Sequence, residues 1–194
     1  MKWHRDGQFL AGLQNGTASC WRLNHQQADT IPLPLPDGLD STTIRFSSLR
    51  FVAAGNLLIA GGLCSSDEAV LQSVVCVWEI GEHATLRSTL RDSTQHSTEA
   101  SPAGFPGGIT AVDFDPQQQM LLTGGVDGRI NEWVLNLDQQ QDQRDQPAAW
   151  VSRLEAPGQQ NHLNRLLSVS FGKQGQILTA DAAGTCLIWN VRRP

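Results

Sequence analysis

Apolar residues along this chain gather in short runs bounded by residues that reverse the backbone, and the rhythm recurs. It is clearest between Ile109 and Val134. Ile109 to Phe114 is a β-rich run, Asp115-Pro116-Gln117 turns the chain, Met120 to Gly124 is apolar, Asp127-Gly128 turns again, and Arg129 to Val134 follows. Runs this short, with turn residues between them, predict strands rather than helices. An Asp-Gly pair between two apolar runs predicts a hairpin, because the turn needs positive φ. Leu166 to Phe171, Ile177 to Thr179 and Thr185 to Val191 repeat the plan around Ala183-Gly184. Gln8 to Leu13 and Thr17 to Leu23 do so around Asn15-Gly16, preceded by the end of a first strand at Met1-Lys2-Trp3. Leu49 to Phe51, Leu57 to Ala60 and Val74 to Ile80 form one more unit, lengthened by an insertion within Cys64 to Gln72. Weaker fourth strands are expected at Thr30 to Leu35, Ala84 to Leu90 and Ala148 to Leu154. Pro32, Pro34 and Pro36 restrict the first of these to a sheet edge, where a missing N–H breaks no ladder bond.

Trp21, Trp78, Trp133 and Trp189 recur at intervals of 57, 55 and 56 residues, one in each third strand. Ala11, Thr123 and Thr179 each stand ten residues before their tryptophan, and Gly16, Gly128 and Gly184 stand five before. Repetition of a four-stranded unit with one buried aromatic predicts an all-β array of propeller blades. The units fall at 1–36, 42–90, 105–154 and 162–194; the first has an incomplete first strand and the last has no outer strand.

Asp6 to Gly12 with Asn15-Gly16-Thr17 and Trp21, Thr123 with Asp127-Gly128 and Trp133, and Thr179 with Gly184 and Trp189 together resemble the WD-repeat family. The resemblance covers nearly the whole chain outside the loops. It implies a hydrogen-bonded set in each blade: a histidine before the first strand, Ser or Thr on the second, Asp in the second turn and Trp on the third. The third unit supplies Thr123, Asp127 and Trp133, with Phe105 at the histidine position; the fourth supplies His162, Thr179 and Trp189, with Ala183 at the aspartate position. The aspartate that would follow each tryptophan is replaced by Arg22, Glu79, Val134 and Asn190. Kelch-type propellers also carry double glycines like Gly61-Gly62 and Gly124-Gly125, but they expect a tyrosine, and this chain has none. Burying an indole outweighs a lost polar partner, at about 3–5 against about 0.5–1.5 kcal/mol, so the blades are expected to hold without intact sets.

The array does not close on itself. It amounts to about three and a half blades, and it reads as the C-terminal half of a longer propeller of about seven. A ring of two copies and an autonomous four-bladed ring are the alternatives. Missing blades, upstream or from a second copy, are therefore among the expected partners.

Net charge of −5 and a pI near 5.4 give no general attraction to nucleic acid or acidic lipid. No apolar run is long enough for a membrane span, and Trp3 to Asp6 interrupts any signal peptide, so the cytoplasm is the expected location. Cys20, Cys64, Cys76 and Cys186 lack metal-ligand spacing and read as buried strand residues. No catalytic or cofactor-binding motif occurs. Asp113 and Asp115 bracket Phe114 at a strand end, where solvated carboxylates are expected. A non-enzymatic scaffold for protein partners is the favoured function; the alternatives are a propeller hydrolase or lyase with scattered site residues, and a truncated fragment without function. Partner contact is expected on the face bearing the insertion and the connection from Arg91 to Gly107, with Asp67, Glu68, Asp127, Arg129, Asn164 and Arg165 as candidates. The Gln-rich tract from Asp138 to Pro147 reads as a solvated loop on the opposite face.

Overall fold

The computed structural model describes residues 2–3, 8–24, 27–52, 56–65, 71–91, 108–135, 137, 149–153, 162 and 164–191. They form four antiparallel sheets whose strands pair in chain order. Blade 1 contains β1 (Lys2–Trp3), β2 (Phe9–Gln14), β3 (Thr17–Asn24) and β4 (Gln27–Ile31). Blade 2 contains β5 (Ile44–Val52), β6 (Leu57–Ser65), β7 (Leu71–Ile80) and β8 (Ala84–Arg91). Blade 3 contains β9 (Ile109–Asp115), β10 (Met120–Gly125), β11 (Ile130–Val134) and β12 (Ala149–Arg153). Blade 4 contains β13 (Leu166–Phe171), β14 (Gln176–Asp181) and β15 (Cys186–Asn190). Phe105, Asp67, Glu68, most of the 91–107 connection and the Gln-rich tract lie outside the described residues.

Three sequence expectations change in detail. The fourth strand of blade 1 is Gln27–Ile31, not Thr30 to Leu35, so the three prolines follow it instead of occupying an edge. The prolyl segment has another use, because the Trp78 indole N–H donates to the Pro34 carbonyl at 2.7 Å. The insertion in blade 2 lengthens both strands of a hairpin: beyond Gly61↔Val75 the ladder continues through Gly62↔Val74 to Ser65↔Leu71. In blade 3 the corresponding ladder stops at Gly124↔Ile130. In blade 1 the turn is Asn15-Gly16 alone, closed by Gln14↔Thr17, so Trp21 faces Leu10. Trp133 faces Leu121 and Trp189 faces Ile177, which makes Gly12, not Ala11, the register counterpart of Thr123 and Thr179.

Apolar layers between consecutive sheets form the core, and every layer has the same polarity. Trp78 packs with Phe9, Ala11 and Cys20 of blade 1. Trp133 packs with Ile59, Val75 and Val77 of blade 2, and Trp189 with Ala111, Leu122 and Ile130 of blade 3. Each indole thus faces the blade before it in the chain. Phe46 meets the Trp78 ring edge-on, with centroids 5.7 Å apart and planes at 76°. Trp21, on the corresponding face of blade 1, is only partly buried. At the other end Leu178 and Ile188 are 42% and 61% exposed.

The first strands of blades 2, 3 and 4 lie side by side, β9 packing against both β5 and β13, and they line an open groove. Gly61 and Gly124 occupy matching positions where the next blade comes closest. A Cβ on Gly61 would sit 2.6 Å from Ile109 and 2.7 Å from Val112. One on Gly124 would sit 2.8 Å from Val169 and 2.9 Å from Leu166, the counterparts of those residues. Hydroxyls complete the junctions: Ser47 donates to the Ile109 carbonyl, and Thr110 donates to the Leu166 carbonyl at 2.6 Å.

Asp113 departs from the expectation of a solvated carboxylate, because its side chain is 3% exposed. It meets the Arg50 guanidinium of blade 2 at 2.9 Å and accepts the Phe171 N–H at 2.9 Å and the Ser170 hydroxyl at 3.1 Å, both from blade 4. Asp115 does face the turn, where its carboxylate accepts the Gln117 N–H at 2.8 Å.

Candidate functional site

Blade 4 holds a continuous buried chain of polar side chains. The Trp189 indole N–H donates to the Thr179 hydroxyl at 2.8 Å, Thr179 Oγ1 lies 2.6 Å from His162 Nε2, and His162 Nδ1 lies 2.9 Å from Asp181 Oδ2. One assignment satisfies every atom: Nδ1–H donates to Asp181, and Nε2 accepts the threonine proton. His162 joins from the segment before β13, Thr179 and Asp181 from alternate positions of β14, and Trp189 from β15. The backbone N–H groups of Ala183 and Thr185 donate to Asp181 Oδ1, each at 2.9 Å.

The His162 hydrogen bond, followed by those two backbone donors, holds the Asp181 carboxyl below its ordinary range against the opposing effect of burial. Sequence spacing placed Ala183 at the aspartate position; the structure corrects this, since Asp181 supplies the carboxylate. Register makes Gly125 the counterpart of Asp181 in blade 3. There the Trp133 indole N–H still donates to Thr123 at 2.9 Å. In blade 2 Ala60 faces Cys76 where blades 3 and 4 carry threonine, and Trp78 has turned instead to the Pro34 carbonyl.

A hydroxyl, an imidazole and a carboxylate in line are also the parts of a nucleophilic relay. Here Thr179 is 3% exposed and His162 4% exposed, and the threonine oxygen already accepts the indole proton. The chain ties the segment before β13 to β14 and β15. Among the described residues no group of three His, Cys, Asp or Glu is placed to hold a metal ion. Among the described residues no helix is long and apolar enough to cross a membrane.

The exposed candidates converge at the junction of blades 3 and 4. Gly128, at φ +76°, packs against the carbonyls of His162 and Asn164, which brings the β10–β11 turn onto the segment entering blade 4. Arg129, Asn164 and Arg165 are exposed along that rim. Arg129 is held by its turn, its N–H donating to Asp127 Oδ1 at 3.1 Å and its Nε lying 3.4 Å from Oδ2. The Arg165 carbonyl is anchored by the Ala182 N–H at 2.9 Å. This rim therefore carries two guanidinium groups, that of Arg129 paired with Asp127 and that of Arg165 exposed.

Residues 98–133 match the family model described as WD domain, G-beta repeat. The match ends on Trp133 and includes β9 and β10, so one WD repeat is present where the phrase with Thr123, Asp127 and Trp133 stands. No match is found among curated proteins. WD repeats mediate protein–protein contact in general, and domains built from them are typically non-enzymatic.

Proposed function

We propose that this chain is a non-enzymatic, cytoplasmic scaffold for protein partners, forming one arc of a larger WD-repeat propeller. Residues Arg129, Asn164 and Arg165 are its contact rim in this reading. The observation that carries it is the approach of the Gly128 turn to the Asn164 carbonyl, which brings Arg129 beside Asn164 and Arg165, within and beside a WD repeat. A basic rim favours a partner surface rich in Asp and Glu. Free rather than paired thiols at Cys20, Cys64, Cys76 and Cys186 support a reducing compartment.

The test is partner recovery from source cells with tagged wild type and with a chain carrying Arg129→Glu and Arg165→Glu. Wild type should retain specific proteins that the double variant loses, while both unfold at the same temperature. Identical recovered sets would remove the rim from the proposal.

A further inference from the structure

Among the described residues, the faces exposed at the two ends of the array match the two halves of a blade junction. At the junction of blades 3 and 4, blade 3 presents Ala111, Leu122 and Ile130 to Trp189. Register places Ser168, Leu178 and Cys186 of blade 4 at these same positions, and all three are exposed. Blade 1 carries the complementary half. Leu10 is paired with Trp21 as Leu121 is with Trp133, and Leu23 stands two residues beyond the tryptophan as the fully buried Leu135 does. Leu10, Trp21 and Leu23 are all only partly buried.

We infer that the Leu178 face of blade 4 takes the Trp21 face of blade 1 from a second copy of this chain, head to tail. The inference rests on the reading of the four sheets as an arc of a ring. Its warrant is continuity, since the junction it requires occurs three times within the chain, always with an indole face against the apolar face of the preceding blade. Two such contacts between two copies give a closed ring of eight blades, at the upper end of the usual four to eight.

Sedimentation equilibrium on the whole chain tests this with wild type, Leu178→Lys and Leu23→Glu. Wild type should sediment at twice 21.1 kDa. Each variant alone should dissociate at least about tenfold more readily, the equivalent of about 1.4 kcal/mol. Mixing them should restore the paired mass, because one junction then has both faces unaltered. A second reading needs no substitution: Cys186 lies in the proposed junction, so its alkylation in wild type should slow as concentration rises. A single mass at every concentration with Cys186 equally reactive would overturn the inference. So would pairs indifferent to both substitutions, or masses that climb without limit. Failure here leaves the partner-recovery test untouched, since Arg129 and Arg165 lie on the rim and not on either face.

Discussion

Arg50 and Asp113 occupy the same position in consecutive first strands, and the guanidinium of one lies 2.9 Å from the carboxylate of the other. Ser170 takes that position in the next blade and donates to the same carboxylate at 3.1 Å. Three blades are thereby tied at one buried oxygen pair. Asp113→Ala should cost about 3 kcal/mol, because it strands the Phe171 N–H and Ser170 hydroxyl together with the cation. Arg50→Ala should cost about 1 kcal/mol or less, because its side chain is 43% exposed and water replaces the partner. Urea unfolding of both variants checks the order; equal losses would contradict it.

Thr179→Val and Thr123→Val compare a full polar set with a reduced one. Thr179 serves Trp189 and His162 together, and its loss should cost about 2–3 kcal/mol. Thr123→Val deprives only the Trp133 indole among the bonds described above and should cost about 1 kcal/mol. Thermal unfolding of each variant is the measurement.

The Asp181 carboxyl titrates below its ordinary 3.8 in the folded chain. Its contribution to stability is therefore complete above that pH and is lost as pH falls through the lower folded value. Acid unfolding curves should show a loss beginning below pH 3.8 that Asp181→Asn abolishes in part. A variant with the same acid limb as wild type would place the sensitivity elsewhere.

Gly128 and Gly184 both have positive φ, +76° and +84°, but their surroundings differ. A Cβ on Gly128 would meet the His162 carbonyl at 2.2 Å, whereas one on Gly184 meets nothing within 4 Å. Gly184→Ala should cost about 1 kcal/mol from backbone strain alone. Gly128→Ala should cost more and should displace the Asn164 rim. Amide exchange across residues 162–166 would register that displacement in the second variant only.

Burial raises the Cys76 thiol to about 12 and the Cys20 thiol to about 11, and Cys64 also rises. Cys186 is the exposed one of the four. Native alkylation of the dissociated chain at pH 8 should therefore modify Cys186 alone, and unfolding should release the other three. Neutral buried thiols stabilise the fold below their ordinary 9.0 and lose that contribution as pH rises toward the folded values.

The blade rhythm was legible because tryptophan is scarce and each junction buries one, so spacing alone locates the third strands. Thr123, Thr179 and His162 were legible through their fixed distances from those strands. Asp181 was not, because the turn glycine at 184 drew the aspartate position toward Ala183, whereas alternation on β14 puts residues 179 and 181 on one face. The four-pair extension of the β6–β7 hairpin was visible only as a length excess, since Gly62 to Ser65 gives no sign of where pairing ends. Asp113 was missed because it sits at a strand end next to a turn. The signal that could have found it is Arg50, a cation at the same position one unit earlier. Arg129, Asn164 and Arg165 were found as separate surface residues; their convergence depends on the Gly128 approach, which no spacing expresses.

The uniform orientation of the indoles gives the chain a direction in time as well as in space. Because Trp78, Trp133 and Trp189 each lean on the blade before them, blades 2 to 4 meet a docking surface already made as they leave the ribosome, and each ring is covered as soon as its third strand has emerged. Synthesis and consolidation can then advance together.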